Sequence, residues 1–136
     1  MEDRKGTLTI LWVFAMFNFL YADVIALFDI VYNGKLSTGM QFTPGMLLGV
    51  SVLMEIPMAM VILSWVLKYR ANRWTNIIVG IAYTFVTLII QFIVPISNGT
   101  TTSYYLFFGA IEILVTLLIV WLAWKWESPA SKSTKN

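Results

Sequence analysis

Four long apolar stretches separated by short polar ones set the pattern of the chain. They cover about 8–32, 44–67, 75–95 and 104–124. Each is long enough to cross a bilayer, which takes about 20 residues of helix at 1.5 Å per residue. The second, 44–67, makes roughly 36 Å of helix. The breaks read as connections: 33–43 with Gly34 and Gly39, a short basic loop over 68–74, and an uncharged turn over 97–103. Thr43 and Pro44 read as N-cap and first residue of the second helix, and Ser103 as N-cap of the fourth. Residues 126–136 read as a disordered polar tail. A basic start ahead of an apolar run is the form of a secretory signal. This run is too long for one and carries Asn18 and Asp23, so it reads as the first transmembrane helix. The expected fold is all-α, one four-transmembrane-helix bundle over 1–136.

Charge adds an orientation. Arg4, Lys5, Lys68, Arg70, Arg73, Lys125, Lys132 and Lys135 fall on one side of the expected topology, and Lys35 alone on the other. Positive residues stay inside, so both termini are expected in the cytoplasm of a prokaryotic cell, N-in and C-in. Trp12, Trp65, Trp74, Trp121, Trp124 and Trp126 lie toward the same edge, with Tyr32, Tyr104 and Tyr105 at the outer one. The sequon Asn98-Gly99-Thr100 falls on the outer side.

Composition then narrows the chemistry. At 59% hydrophobic and 12% charged residues, the 136-residue chain is an integral membrane protein whose first partner is the lipid bilayer. The net charge of +2 comes from basic residues at membrane edges, so nucleic acid is not an expected partner. With no cysteine and no histidine, disulfides, imidazole-bound metals and Ser-His or Cys-His nucleophiles are excluded. No catalytic residue, metal site or cofactor is expected, and enzyme activity is the less favoured class.

Polar residues inside the apolar runs carry what functional signal there is. Glu55 sits in the middle of the second run, about 16 Å from its outer end, where an ionised side chain costs on the order of 3 kcal/mol. Pro57, two residues on, lacks an N–H for the carbonyl of Leu53, which predicts a kink and a loose acceptor beside the carboxylate. The first helix brings Asn18 and Asp23, with Asp29 nearer the outer end. Gly80, Thr84, Thr87 and Gln91 form a stripe on the third, and Tyr105, Gly109, Glu112 and Thr116 on the fourth. If these faces turn inward, Asp23, Glu55, Gln91 and Glu112 line one outward-opening chamber, with Asn18 and Gln91 orienting the acids. No Lys, Arg or His falls within the expected spans, so some of these acids are expected to be protonated at pH 7. The Ser and Thr stripes are equally read as packing and backbone hydrogen bonds.

Three segments carry a resemblance: Met54–Met60 (MEIPMAM), 67–77 (LKYRANRWTNI) and 104–112 (YYLFFGAIE). Together they resemble a family of small prokaryotic four-helix membrane proteins of unassigned function, DoxX-like in size and topology. The resemblance implies a four-helix bundle and no activity, and it suggests that the inner loop matters through Arg70, Asn72 and Arg73. Small multidrug transporters are similar in size and in having a membrane carboxylate. Their glutamate is on the first helix, where this chain has Asp23.

The leading expectation is a proton- or cation-coupled transporter or channel, with Glu55 central, Glu112 and Asp23 as relays, and a homodimer forming the path. A binding protein or enzyme for an amphipathic, lipid-like ligand is the first alternative. An accessory subunit of a larger membrane complex is the second. The ligand classes expected are a small cation, an amine or a lipid-like molecule.

Overall fold

In lipid every backbone N–H and C=O must be satisfied within the segment, so long apolar runs fold as helices. The computed structural model describes residues 2–35, 43–128 and 130. Of the connection expected over 33–43, residues 36–42 lie outside these. So do residue 129 and residues 131–136 of the expected tail, with Lys132 and Lys135.

The elements are α1 (Glu2–Asn33), α2 (Pro44–Val66), α3 (Tyr69–Leu88), a π-helical turn (Ile89–Ile93), α4 (Val94–Asn98) and α5 (Ser103–Trp124). The third span is thus α3, the wide turn and α4 end to end. Four stretches, Arg4–Asn33, Pro44–Val66, Tyr69–Asn98 and Ser103–Trp124, are long and apolar enough to cross a membrane. Among the described residues there is no strand, so the fold is an all-α bundle.

Local chemistry explains most boundaries. Thr43 caps α2, its hydroxyl accepting from Met46 N–H at 3.3 Å, with Pro44 as first helical residue. Gly99, at φ 66°, closes α4 in the left-handed conformation open to glycine. The cap of α5 is Thr102, one residue before the expected Ser103. The larger difference is at the basic loop. Only Leu67 and Lys68 are extended there, and α3 already begins at Tyr69. With neither Gly nor Pro between 68 and 74, nothing stops the helix from starting early.

α1 packs between α2 and α5, and α5 also packs on α3, while α2 and α3 meet most sparsely. The start of α1 and the ends of α2 and α5 come together at one end of the bundle. Arg4 Nη1 donates to the carbonyl of Leu122 at 3.3 Å, Lys5 Nζ to Trp65 at 3.3 Å, and Arg73 Nη2 to Trp124 at 3.0 Å. Those carbonyls belong to the last turns of α2 and α5, which lack intrahelical donors, so the cations complete the helix ends. The expected tail starts ordered: Trp126 is buried, stacks edge-on against Tyr69 at 5.2 Å, and accepts from the Tyr69 hydroxyl at 2.6 Å.

Behind this basic end lies the core of Leu8, Trp12, Ala15, Met60, Ile119 and Trp126. Beside it is a buried amide network. Trp12 Nε1 donates to Asn76 Oδ1 at 2.7 Å and Ser64 Oγ to the same oxygen at 3.2 Å. Asn76 Nδ2 donates to Asn72 Oδ1 at 2.6 Å, and Asn72 Nδ2 to the Ser64 carbonyl at 2.6 Å.

Candidate functional site

Away from the basic end the interior changes from amide to acid. Glu112, on α5, is 1% exposed. Thr87 Oγ1 donates to its Oε1 at 3.0 Å and Gln91 Nε2 to its Oε2 at 3.1 Å. One turn toward the basic end, the hydroxyls of Thr84 and Thr116 meet at 2.7 Å, and Thr116 also bonds the Glu112 carbonyl at 3.0 Å. The polar stripes expected on the third and fourth helices therefore face each other. Glycine makes this contact possible: a Cβ at position 109 would collide with the side chains of Gln91 and Phe92.

Gln91 sits in the π-helical turn, where Val94 N–H bonds back five residues to the Ile89 carbonyl. Pro95, just beyond, has no N–H to return to Gln91, so the usual four-residue ladder is interrupted there. Wide turns of this kind recur at functional sites.

Next to the Glu112 cluster lies a cavity of about 80 Å³. Its polar lining is Asp23 from α1, Tyr83 and Thr87 from α3, Gln91 from the π turn, and Tyr105 from α5. Phe19, Val50, Leu53, Met54, Val86 and Ile90 make its apolar walls, and no lining residue is basic. All four spans contribute, and the α2 and α3 walls meet where packing between helices is sparsest.

Pro57 explains one wall. It is buried inside α2, which continues as helix through it, and leaves the Leu53 carbonyl without a helical donor. The Tyr83 hydroxyl supplies one at 3.0 Å, tying α3 to α2 across the cavity. Tyr83 in turn is held edge-on by Phe19 at 5.2 Å and Trp12 at 6.4 Å. The loose acceptor expected at Leu53 thus exists, and it is satisfied by a tyrosine.

The structure corrects three expectations about site residues. Glu55 does not share the chamber: its side chain lies on the exposed face of α2 with Ser51 and Ala59. The buried face of α2 is Pro57, Met60 and Ser64. Two residues from Pro57 is a rotation of about 200°, which turns Glu55 to the opposite side. Asn18 does not orient an acid; it is buried and donates to the Phe108 carbonyl at 3.1 Å, tying α1 to α5. Arg70, Asn72 and Arg73 are helical rather than loop: Arg70 is exposed, Asn72 is in the amide network, and Arg73 caps α5.

Asp23, Gln91 and Glu112 are the expected residues that the fold brings together. Thr87 joins them from the expected polar stripe, whereas Tyr83 and Asn76 are not among the expected residues. The spacing of Asn72, Asn76, Gly80, Tyr83, Thr87 and Gln91, at every third or fourth position, is the signal that would have joined them into one face. Among the described residues, no group of three or more His, Cys, Asp or Glu lies close enough to hold a metal.

Searches among curated proteins and among solved structures returned no match. Residues 1–133 match the profile of a family described as a family of unknown function, DUF6326.

Proposed function

The chain belongs to this family of unknown function, and from that premise we propose that it is a small proton-coupled membrane carrier for a cation or amine. One observation carries the reading: a cavity walled by all four spans holds Asp23 and reaches Thr87 and Gln91, the two donors on Glu112, with no basic residue in its lining. An acid in the bilayer interior without a cation beside it is costly unless it binds a proton or a ligand. Under the proposal the cation enters beside Asp23, and Glu112, behind Thr87 and Gln91, exchanges the proton. Competition between proton and cation for this acidic pair couples the two.

The packed core and amide network close the basic end, so passage takes a second conformation in which that end loosens. The charge distribution supports a basic end that faces the cytoplasm, with the cavity then in the outer half. A second copy covers the exposed face of α2, which takes Glu55 out of lipid and makes the working unit a homodimer.

A second reading is favoured by the apolar walls of the cavity and the closed basic end. In it the protein binds an amphipathic, lipid-like ligand without moving it across. Proteoliposomes separate the two. Under an imposed cation or amine gradient, the carrier reading expects proton movement in the wild type, loss of it in Glu112→Gln, and its retention in Glu55→Gln. Saturable ligand stabilisation with no flux selects the second reading; flux unaffected by Glu112→Gln removes Glu112 from the mechanism.

A further inference from the structure

The walls of the cavity are not equally tight. α1 packs between α2 and α5, and α5 on α3, whereas α2 and α3 meet most sparsely. On that side the walls are Val50 and Met54 from α2 and Val86 and Ile90 from α3. Val50 is 41% exposed and Ile90 37%, so the same two residues border both the cavity and the outer surface of the bundle. At this level the tie across the gap is the Tyr83 hydroxyl on the Leu53 carbonyl. Val50 and Ile90 lie beyond it, away from the basic end, and frame a mouth that faces lipid. Val50 is about 140° round α2 from Glu55, so a second copy on the Glu55 face leaves this mouth uncovered.

Inside, the groups free to meet a guest are Asp23 and Tyr105. Neither the Asp23 carboxylate nor the Tyr105 hydroxyl is hydrogen-bonded by the described residues. Nor does either belong to the four buried atoms left unpartnered there, Thr9 Oγ1, Arg73 Nε, Gln91 Oε1 and Thr102 Oγ1, so both reach open space. The lining has one free acid, no basic residue to answer it, and apolar side chains from there to the mouth. The complement is a molecule with a cationic head and a hydrocarbon tail. At about 80 Å³ the cavity has room for the head, well short of the roughly 300 Å³ at which pockets begin to enclose a whole ligand.

We propose that the gap between α2 and α3 is a side entrance from the bilayer, and that the guest is an amphipathic amine. Its ammonium sits at Asp23 beside the Tyr105 hydroxyl, and its tail runs out between Val50 and Ile90 into lipid. This rests on the cation reading of the same cavity and adds the class of cation and its route. A bare inorganic ion has no means of passing Val50, Met54, Val86 and Ile90 without shedding its water.

The test uses the full chain in lipid nanodiscs, with octylamine, dodecylamine, methylamine and potassium ion as probes and empty nanodiscs correcting for partition. Referred to their concentration in lipid, octylamine and dodecylamine are expected to bind within about threefold of each other, because the added methylenes stay in hydrocarbon. Methylamine and potassium ion, at the same total concentration, should bind at least about tenfold more weakly. Asp23→Asn should lower octylamine affinity at least about tenfold. If that variant does not fold, wild type with an octylamine carrying a mid-chain diazirine serves instead. Light should then attach the probe to residues within 50–54 and 86–90, and excess octylamine should suppress it. Labels confined to other faces of the bundle overturn the inference. So does dodecylamine binding at least about tenfold more weakly than octylamine, the mark of a closed pocket. Methylamine or potassium ion matching octylamine overturns it too and leaves the cation reading standing. Binding of no probe removes the cation reading itself, and the inference with it.

Discussion

At the basic end, Trp12, Ser64, Asn72 and Asn76 bury neutral donors and acceptors that all find one another. Further along the same face of the third span, Thr87 and Gln91 hold a carboxyl group, with a cavity beside them and an amide oxygen left over. Both regions place polar side chains where lipid-embedded helices would otherwise pack apolar ones. Only the second has space, charge and unfinished hydrogen bonding. Buried polarity within a membrane bundle is therefore a poor marker of function by itself; what separates a site from a clamp is whether the polar groups are saturated. The amide network reads as a clamp joining α1, α2 and α3, and the acidic cluster as a site.

The clamp should be the more sensitive of the two regions to a single substitution. Asn76→Leu strands Trp12 Nε1, Ser64 Oγ and Asn72 Oδ1, and is expected to lower stability by about 3 kcal/mol in a detergent unfolding titration. A near-neutral result would mean that the network is dispensable. Gly109→Ala should come next. The new Cβ pushes the Gln91 amide off α5, with a loss of about 2 kcal/mol and weaker cation binding. If stability falls and binding holds, Gln91 is structural alone. Tyr83→Phe frees the Leu53 carbonyl and is expected to cost about 1 kcal/mol by thermal unfolding. It also loosens the tie between α2 and α3, so amine binding should quicken in stopped-flow. The smallest effect is expected for Glu55→Leu. On the exposed face it should leave amine affinity within about twofold and shift the monomer–dimer balance measured in nanodiscs.

Four helices and most of their ends were readable because backbone satisfaction in lipid leaves helix as the only option for such runs, and Thr43-Pro44 opens the second with ordinary cap chemistry. The facing of the third and fourth helices was readable too, since Thr87, Gln91 and Glu112 fall on polar stripes at helical spacing. Glu55 was not. α2 is apolar all round, and lipid makes the outward side as apolar as the inward one, so periodicity does not say which way a lone carboxylate points. Depth in the membrane is legible from the position of a residue in its run; azimuth needs a contrast between faces that α2 lacks. The basic stretch before the third helix misled for a different reason. Charges usually mark a loop, but here Arg73 reaches back to the Trp124 carbonyl ending α5 while Asn72 turns inward, so one turn of helix serves both ends of the polarity scale.

The wide turn at Ile89–Ile93 has a consequence for how the third span keeps time with its neighbours. Its inward positions at 87, 91 and 95 recur every four residues, whereas a regular helix repeats every 3.6 and would slide off the face by about 40° at each step. The extra residue in the turn absorbs that slip, resetting the phase so that Thr87, Gln91 and Pro95 stay inward together. Deleting Ile89 would restore an even helix in which the positions of Thr87 and Pro95 stay within about 20° of one face, while the glutamine, now three residues after Thr87, falls about 60° off it. The acid cluster would then lose its amide partner with every side chain of the cavity still present, which makes that one contact a property of a single surplus residue.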